Sequence, residues 1–506
     1  MPNIQLLEKT LPAAPLRIAA LESCLPLAQK VDDYIVTFRK SALESMQSSA
    51  LYANYKKDSY LLKTSCPRFG SGEAKGMIHE SVRGADLFVM VDVCNYSLTY
   101  SVNGHLNHMS PDDHYQDLKR IISAATGKAH RINVIMPFLY ESRQHKRTKR
   151  ESLDCALGLE ELIDMGVSNI LTFDAHDPRV QNSIPLKGFD NFSPAYQFMK
   201  ALFRAESDLK VDKDHLMIIS PDEGAMHRAV YFSNVLGVDM GMFYKRRDYS
   251  TVVNGKNPIV AHEFLGDDVS GKDVIILDDM ISSGESMLDV AKQLKDRHAN
   301  RVFICTTFGL FTEGLEKFDE YYEKGYIDRV ITTNLTYLPA EASEKPYFVV
   351  ADMSKFLALI IDSLNHDISI GSVLNPTDKI HRLLETYKKT IEKLCKSQFI
   401  KSTREITQSN VSLPLFILRS AISILSITTN YLLRNYVKKT ERFLNASFIY
   451  IISHIIRFLL HAILCIPHRN SNLCISQHIY IIFCIPKYHH FTFLNSETLT
   501  KIPNPR

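Results

Sequence analysis

Residues 274–286 of the chain are VIILDDMISSGES. The apolar run Val274–Leu277 predicts a buried β-strand, and two adjacent carboxylates, Asp278 and Asp279, follow it directly. A short polar loop comes next, and a helix is predicted to begin at Gly284. Ligands of α/β proteins bind at the carboxyl ends of parallel strands, so this order of strand, acids, loop and helix predicts a ligand site.

The residue types in this segment suit a sugar phosphate. The loop Ser282–Ser286 offers hydroxyls, backbone N–H groups and a helix N-terminus, which together favour a phosphate dianion. Asp278 and Asp279 are suited to hold ribose hydroxyls, directly or through a metal ion. The alternative is a strand, a turn and a serine-capped helix without any ligand, because such loops are common at helix starts.

Strands and amphipathic helices alternate on both sides of this segment. The pattern predicts two α/β blocks at 68–205 and 206–375, each a parallel sheet flanked by helices. Residues 1–67 are expected to form a helical extension, and 376–410 a charged helical linker. The predicted strands are 87–93, 132–136, 169–173, 216–219, 240–244, 274–277, 302–306 and 330–333.

The segment 411–506 differs from the rest of the chain. It contains ten Lys or Arg residues, two acids and no Asp or Gly, so it is a basic, apolar tail. Its most apolar stretch, 443–466, includes Asn445, His454, Arg457 and His461, which are costly at the centre of a bilayer. We therefore do not expect this stretch to span a membrane. An equally plausible alternative to a membrane span is a tail whose structure is under little evolutionary selection.

Composition narrows the class of protein. Apolar residues make up 45% and charged residues 23% of the 506, as in soluble globular proteins, and a net charge of +3 does not predict nucleic-acid binding. The nine cysteines include no CxxC pair, which argues against a disulfide framework or a zinc site and favours a reducing cytoplasm. The first twenty residues lack the uninterrupted apolar core of a secretory signal.

Further motifs follow the other predicted strands in a recognisable order. Residues 274–286 resemble the phosphoribosyl diphosphate-binding signature of type I phosphoribosyltransferases. The whole set, spread from 68 to 374, resembles the ribose-phosphate diphosphokinase family. The motifs are RFGSGE (68–73), ESVRG (80–84), YESRQH (140–145), DAH (174–176), SPDEG (220–224) and YKRR (244–247).

The resemblance implies a fold of two tandem phosphoribosyltransferase-like domains and a reaction. That reaction moves the diphosphoryl group of ATP to the C1 hydroxyl of ribose 5-phosphate, in a cytoplasmic homo-oligomer that needs Mg²⁺. It implies that Lys245 and Arg247, on a flexible loop, stabilise the transferring group. The ATP contacts would be Ser71, Gly72 and Glu73, from a neighbouring subunit, with Arg143 and Gln144. The ribose 5-phosphate contacts would be Arg246, Asp278, Asp279, Ser282, Ser283, Gly284, Glu285 and Ser286, and the metal ligands His176 and Asp222.

The chain departs from the family pattern at several positions. Ser71, His145 and Ser282 stand where the family usually has Asp, and Glu285 stands where it has a second Gly. A carboxylate beside a phosphate dianion is repulsive unless its side chain points away. The stretch 95–113 is also longer than in the family.

Two other functions fit parts of the sequence. A catalytically weak regulatory partner of active subunits would explain Glu285 and Ser282, although the retained Lys245 and His176 argue against it. A plain phosphoribosyltransferase would resemble only the second block, and the motifs of the first block speak against it. Release of AMP from ATP and ribose 5-phosphate would distinguish an active diphosphokinase from both of these alternatives.

Overall fold

The computed structural model describes residues 10–45, 53–247 and 259–390, and it has the predicted α/β architecture. The strands are β1 (Leu16–Ala20), β2 (Leu61–Leu62), β3 (Thr64–Ser65), β4 (Met77–Ile78), β5 (Asp86–Met90), β6 (Thr99–Val102), β7 (His105–His108), β8 (Arg131–Ile135), β9 (Asn169–Phe173), β10 (Gly188–Phe192), β11 (Leu216–Ser220), β12 (Asp239–Arg247), β13 (Ile259–Leu265), β14 (Asp273–Ile281), β15 (Val302–Gly309), β16 (Arg329–Thr333) and β17 (Phe348–Ala351). The α-helices are α1 (Leu25–Ser45), α2 (Pro111–Ala125), α3 (Asp154–Asp164), α4 (Ala195–Ala205), α5 (Met226–Leu236), α6 (Glu285–Asp296), α7 (Glu316–Glu323), α8 (Ser354–Asn365), α9 (Gly371–Leu374) and α10 (377–390).

Two parallel sheets organise these elements. The first has the order β10-β9-β8-β5-β1-β2, and all its pairs are parallel. The second has the order β13-β12-β11-β14-β15-β16-β17, and only β13 runs antiparallel to its neighbour. The central strands β5, β11 and β15 are buried at every position, as expected where helices cover both faces of a parallel sheet. We call the first sheet with its helices the first lobe, and the second sheet with its helices the second lobe.

The amino-terminal residues are part of the first lobe, which corrects the expected helical extension at 1–67. Strand β1 lies inside the sheet, where Ile18 pairs with Leu61 on one side and with Phe88 on the other. Its sequence, LRIAA, is a short and mostly apolar run interrupted by Arg17, and periodicity alone does not distinguish such a run from part of a helix. Helix α1 follows it and packs against α8.

The two lobes also exchange helices, so the boundaries near 205 and 375 differ from the expected ones. Helix α4 packs against β16 and β17 and contributes Phe198 and Leu202 to the core of the second lobe. Helix α8 comes late in the chain but buries Leu357 and Ile361 in the core of the first lobe. Each lobe is therefore completed by a helix that the sequence order assigns to the other.

A buried ion pair joins α8 to α1. Arg39 donates from Nε and Nη2 to Asp362 Oδ1 at 2.9 and 2.6 Å, and from Nη2 to Asn365 Oδ1 at 2.7 Å. The side chains of Arg39 and Asp362 are 1% and 0% exposed. The Arg39 guanidinium also lies over the rings of Tyr55 and Tyr60. This cluster anchors the late helix α8 to the first lobe.

We expect Asp362→Ala to lower the free energy of unfolding by about 3–5 kcal/mol, because it leaves a guanidinium buried without its counter-charge. The double variant Arg39→Met with Asp362→Leu should recover most of that loss, since no charge remains buried. Asp58→Ala, which breaks an exposed pair with Lys40, is the control and should cause no measurable change. Urea unfolding of the four proteins measures these differences, and an Asp362→Ala midpoint equal to that of wild type would contradict the prediction.

Several expectations concern residues outside the described ranges. The predicted tail 411–506 and residues 391–410 of the predicted linker lie there, whereas α10 occupies 377–390. Within the described ranges, none of the helices combines the length and the apolar composition needed to cross a bilayer.

Candidate active site

The predicted acids lie where the two lobes meet. Asp278 and Asp279 sit near the carboxyl end of β14, and His176 follows β9 of the first lobe. His176 and Asp279 are joined by a hydrogen bond of 2.8 Å between Nδ1 and Oδ2. Residues 103 positions apart, from different sheets, are therefore in direct contact, as the convergence of strand ends predicted.

A buried arginine that sequence reasoning missed lies between the lobes. Arg228, on α5, donates from Nε to Asp174 Oδ1 at 2.7 Å, and its Nη2 lies 3.8 Å from Asp279 Oδ2. Thr307 Oγ1 donates to the other oxygen of Asp174 at 2.6 Å. Asp174 itself adopts a φ of 42°, a left-handed conformation that is uncommon outside glycine. These contacts link β9 of the first lobe to α5, β14 and β15 of the second.

The pKa values of the two acids of β14, Asp278 and Asp279, are shifted in opposite directions. Burial raises the pKa of Asp278 well above its ordinary value, and the carboxylates of Asp279 and Asp222 push it the same way. Burial also opposes ionisation of Asp279, but the hydrogen bond from His176 and the charge of Arg228 outweigh it and hold its pKa at about 2. The pair therefore favours one fixed negative charge beside a carboxyl that is easily protonated, which suits the binding of sugar hydroxyls.

The loop after β14 has the geometry of a phosphate cradle. Gly284 adopts a φ of 88°, and a Cβ there would lie 2.4 Å from the Phe318 ring, so both conformation and space require glycine. Helix α6 begins at the next residue and runs for 12 residues, so the N–H groups of its first turn point towards the loop. Ser282 and Ser283 lie in this loop, with the backbone N–H of Thr312 donating to Ser282 O at 3.0 Å.

The Glu285 side chain lies against α7 and does not fill the cradle. Lys317 Nζ donates to Glu285 Oε1 at 2.8 Å and to Glu313 Oε2 at 3.0 Å. The Glu285 side chain is 67% exposed, and the Lys317 bond lowers its pKa. The departure from the family pattern at this position is thus compensated by a neighbouring cation.

The two residues predicted to bind a metal ion come from different lobes: His176 follows β9 of the first lobe, and Asp222 follows β11 of the second. The His176 Nδ1 is engaged by Asp279, which leaves Nε2 as the ring nitrogen available to a metal, and a carboxylate behind a ligating imidazole is a common supporting arrangement. Asp222 Oδ1 accepts from the backbone N–H of Gly224 at 3.0 Å. Among residues 10–45, 53–247 and 259–390, no three His, Cys, Asp or Glu side chains form a closed metal site. An ion held by His176 and Asp222 would have to take its remaining ligands from water or substrate, as Mg²⁺ does at phosphate sites.

The residues predicted to contact ATP fall into two places. Arg143 and Gln144 are exposed on the loop after β8, next to His145, whose ring centroid lies 5.5 Å from that of His176. Ser71, Gly72 and Glu73 lie on a separate turn. Residues 68–73 contact the β6–β7 hairpin and α2.

The cationic run 245–247 is not on a loop, which corrects the expected position. Its backbone continues β12, and Lys245, Arg246 and Arg247 pair with His262, Ala261 and Ile259 of the antiparallel strand β13. The neighbouring strand β11 pairs with β12 only as far as Met242. The run therefore extends beyond the carboxyl end of β11 on the antiparallel ribbon formed by β12 and β13. We call residues 245–247 with their partners in β13 the cationic ribbon. The sequence prediction ended the strand at 244 because it did not identify β13.

These features define the class of protein to which the chain belongs. Two α/β lobes, each with a parallel sheet, enclose an acid pair, a glycine-dependent phosphate cradle and a cationic ribbon, which is the arrangement of a phosphoribosyltransferase-type protein. Residues 16–166 match the family model for the N-terminal domain of ribose phosphate pyrophosphokinase, and residues 197–337 match that for the phosphoribosyl transferase domain. The chain belongs to the ribose-phosphate pyrophosphokinase family of enzymes.

Curated relatives agree with this assignment. The ribose-phosphate pyrophosphokinase of Vibrio parahaemolyticus is 27% identical over 315 residues, which are 62% of this chain and 90% of the relative. That of Wolinella succinogenes is 29% identical over 311 residues, 60% of this chain and 89% of the relative. The crystal structure of phosphoribosylpyrophosphate synthetase from Mycobacterium smegmatis shares the fold, with a TM-score of 0.54 at 22% identity, covering 70% of this chain and 99% of that one.

Proposed function

We propose that this chain transfers the diphosphoryl group of ATP to ribose 5-phosphate, forming phosphoribosyl diphosphate and AMP. The C1 hydroxyl oxygen attacks the β-phosphorus, the bond between that phosphorus and the α,β-bridging oxygen breaks, AMP leaves, and the hydroxyl proton passes to solvent. Such transfers depend mainly on positioning and on neutralising phosphate charge. The observation that carries the proposal is the contact between His176 and the acid pair of β14, beside the phosphate cradle.

Each part of the site has a task in this proposal. The cradle at 282–286 binds the 5-phosphate, and Asp278 and Asp279 accept hydrogen bonds from the ribose hydroxyls. Lys245 and Arg247 stabilise the charge on the diphosphoryl group as it moves, and Arg246 contacts the ribose phosphate. A bound Mg²⁺ would neutralise the charge of the ATP phosphates and would be held by His176 and Asp222.

The nucleotide is proposed to lie between two copies of the chain. Arg143 and Gln144 beside His145 would provide one side of its site. The exposed turn with Ser71, Gly72 and Glu73 would provide the other side, from a neighbouring subunit of a homo-oligomer. The exposure of Ser71 and Glu73 in one chain supports that arrangement. The free thiols among the described residues suit a reducing cytoplasm.

Product analysis tests the reaction directly. Incubation with ATP, MgCl₂ and ribose 5-phosphate should release AMP and phosphoribosyl diphosphate in equal amounts, as followed by chromatography and phosphorus NMR. AMP should not appear when ribose 5-phosphate is omitted. Formation of ADP would indicate an ordinary kinase, and diphosphate release that requires a nucleobase would indicate a plain phosphoribosyltransferase. The absence of any product would favour a regulatory partner.

The Glu285–Lys317 pair provides a prediction on the sugar-phosphate side. Lys317→Met should raise the KM for ribose 5-phosphate by about two- to fivefold, because the Glu285 carboxylate loses its counter-charge beside the phosphate cradle. The double variant Lys317→Met with Glu285→Gly should return to the wild-type KM. Lys324→Met, which removes an exposed pair with Glu320 on the same helix, is the matched control. A KM that is equal in all four proteins would show that Glu285 exerts no effect on the cradle.

A further inference from the structure

The hairpin formed by β6 and β7 lies in the stretch that is longer than the family pattern. Its strands join through Asn103 and Gly104, whose φ values are 49° and 81°. Positive φ at both central residues is the signature of a type I′ turn, and Asn-Gly is the dipeptide that favours it. The register Tyr100↔Asn107 and Val102↔His105 then follows from the turn. The insertion is thus a defined element of structure.

The base of this hairpin is closed by contacts between its two arms, and Tyr100 Oη joins it to α2 by donating to Asp113 Oδ1 at 3.1 Å. The backbone N–H of Met109 donates to Leu98 O at 2.9 Å, and His108 Nδ1 lies 2.8 Å from Tyr96 O. Ser110 and Asp113 form a capping box at the start of α2, which follows directly. These contacts close the base of the hairpin and connect it to the start of α2.

One face of the hairpin covers the turn that carries Ser71, Gly72 and Glu73. The Arg68 guanidinium lies 4.7 Å from the centre of the Tyr100 ring. The Asn103 N–H donates to Gly70 O at 3.1 Å. Val102 packs so closely that a Cβ on Gly72 would lie 3.0 Å from its Cγ2. Three separate contacts therefore hold the turn at its base, its middle and its tip.

The turn has hydrogen bonds of its own: the Lys75 N–H donates to Pro67 O at 3.3 Å, and Ser71 Oγ donates to Glu73 Oε2 at 2.9 Å. Its backbone closes through bonds from Phe69 N to Glu73 O at 2.7 Å and from Gly72 N to Phe69 O at 2.9 Å. The side chains of Phe69, Ser71 and Glu73 are exposed. An exposed turn that contains two glycines has many alternative conformations when nothing packs on it, and ordering it on binding costs free energy.

We propose that the β6–β7 hairpin is a positioning device that holds the 68–73 turn in the conformation that receives the nucleotide, with Tyr100 and Val102 as its positioning residues. The proposal rests on the proposed function, because that function assigns Ser71, Gly72 and Glu73 to ATP. The hairpin lowers the ordering cost of the turn before ATP arrives and so increases ATP affinity. It makes no contribution to the chemical step or to the sugar site.

The opposite face of the hairpin offers a matched control. Strand residues alternate between faces, so Tyr100 and Val102 share the face toward the turn, whereas Leu106 pairs with Ser101 and lies on the other face. Leu106 is 70% exposed. Leu106→Ala therefore changes the same hairpin without touching the turn.

Steady-state kinetics and calorimetry with ATP on the full chain test the proposal. Tyr100→Ala should raise both the KM and the Kd for ATP by about tenfold, as expected for the loss of a cation–π contact and its packing. The kcat and the KM for ribose 5-phosphate should not change. Tyr100→Phe loses the hydrogen bond from Tyr100 Oη to Asp113 Oδ1 but keeps the ring over Arg68, so its ATP affinity should equal that of wild type, and so should that of Leu106→Ala. Hydrogen exchange of the peptide 68–75 should be faster in Tyr100→Ala alone.

The outcomes separate this proposal from the reaction itself. If Tyr100→Ala retains wild-type ATP affinity, or if kcat and both KM values change together, the hairpin has no positioning role, whatever the reaction. If wild type binds ATP but yields no AMP, the proposed reaction fails, and the ATP Kd and the exchange rates of the variants still decide the role of the hairpin. If wild type binds no ATP, both proposals fail.

Discussion

Lys245→Ala is expected to lower kcat by about 10²–10³-fold, because it removes a positive charge from the place where negative charge moves in the proposed reaction. The backbone of Lys245 lies on the β12–β13 ribbon, beyond the paired part of β11 and on the same edge as the β14 acids. The substitution leaves the backbone pairing with His262 intact, so the free energy of unfolding should not change. Rates of AMP release and urea unfolding measure the two effects.

A matched lysine serves as the control for this variant. Lys187 is exposed and precedes β10, so it lies at the edge of the first sheet opposite to the site. Lys187→Ala removes the same charge from the protein and should retain the wild-type kcat. Unchanged turnover in Lys245→Ala would remove the cationic ribbon from the mechanism. Equal losses in both variants would indicate an effect of net charge.

The local structure that was predicted correctly around the acid pair is encoded within one short segment. Val274–Leu277, the two acids and the small-residue loop carry the strand, the site edge and the helix start in sequence order. Gly284 is needed for its positive φ and for its contact with Phe318, and only the first of these is a local property. Local motifs therefore predicted the second lobe well.

Contacts between distant segments account for what the sequence did not reveal. Arg228 lies in the first turn of α5, where a basic residue is usually solvated, and nothing local indicates that it reaches Asp174, 54 residues away. The exchange of α4 and α8 between lobes depends likewise on which core buries each apolar face. Amphipathic spacing predicts that a helix has a buried face, but it does not identify the partner.

The cationic ribbon shows that the partner of a strand, like the partner of a helix, is not identified by local sequence. The run YKRR has no apolar alternation, so its strand ended at 244 in the prediction. Its backbone is extended because β13 pairs with it antiparallel from Ile259 onward. A strand at the edge of a sheet depends on its partner as much as on its own side chains, which makes its end difficult to locate from sequence.

Arg228→Met is expected to reduce both stability and turnover. Arg228 lies between Asp174 and Asp279, and its side chain is 8% exposed, so methionine leaves the buried Asp279 and the partly buried Asp174 without this cation. Removing one partner of such a cluster costs about 3–5 kcal/mol of unfolding free energy. Turnover should also fall, because Asp279 orients His176 and the charge of Arg228 helps to keep Asp279 ionised.

The pH dependence of this variant has a defined sign. In wild type the folded-state pKa of Asp279, about 2, is below its ordinary value, so its contribution to stability is present above the unfolded pKa and is lost as pH falls towards 2. Without Arg228 the pKa of this carboxyl rises, and protonation then relieves the unpaired charge. The difference in unfolding free energy between wild type and Arg228→Met should therefore be largest at pH 7 and should decrease as the pH is lowered towards 4.

Two further variants show whether the loss of stability in Arg228→Met is caused by the loss of charge. Arg228→Met combined with Asp174→Asn removes one of the unpaired carboxylates and should recover part of the stability at pH 7. Arg228→Lys keeps the cation but loses the fork that reaches both acids, and it should fall between wild type and Arg228→Met. A stability difference that is independent of pH, with no recovery in the double variant, would mean that Arg228 contributes through packing alone. In that case the link from the first lobe to the β14 acids would be carried by the His176–Asp279 hydrogen bond.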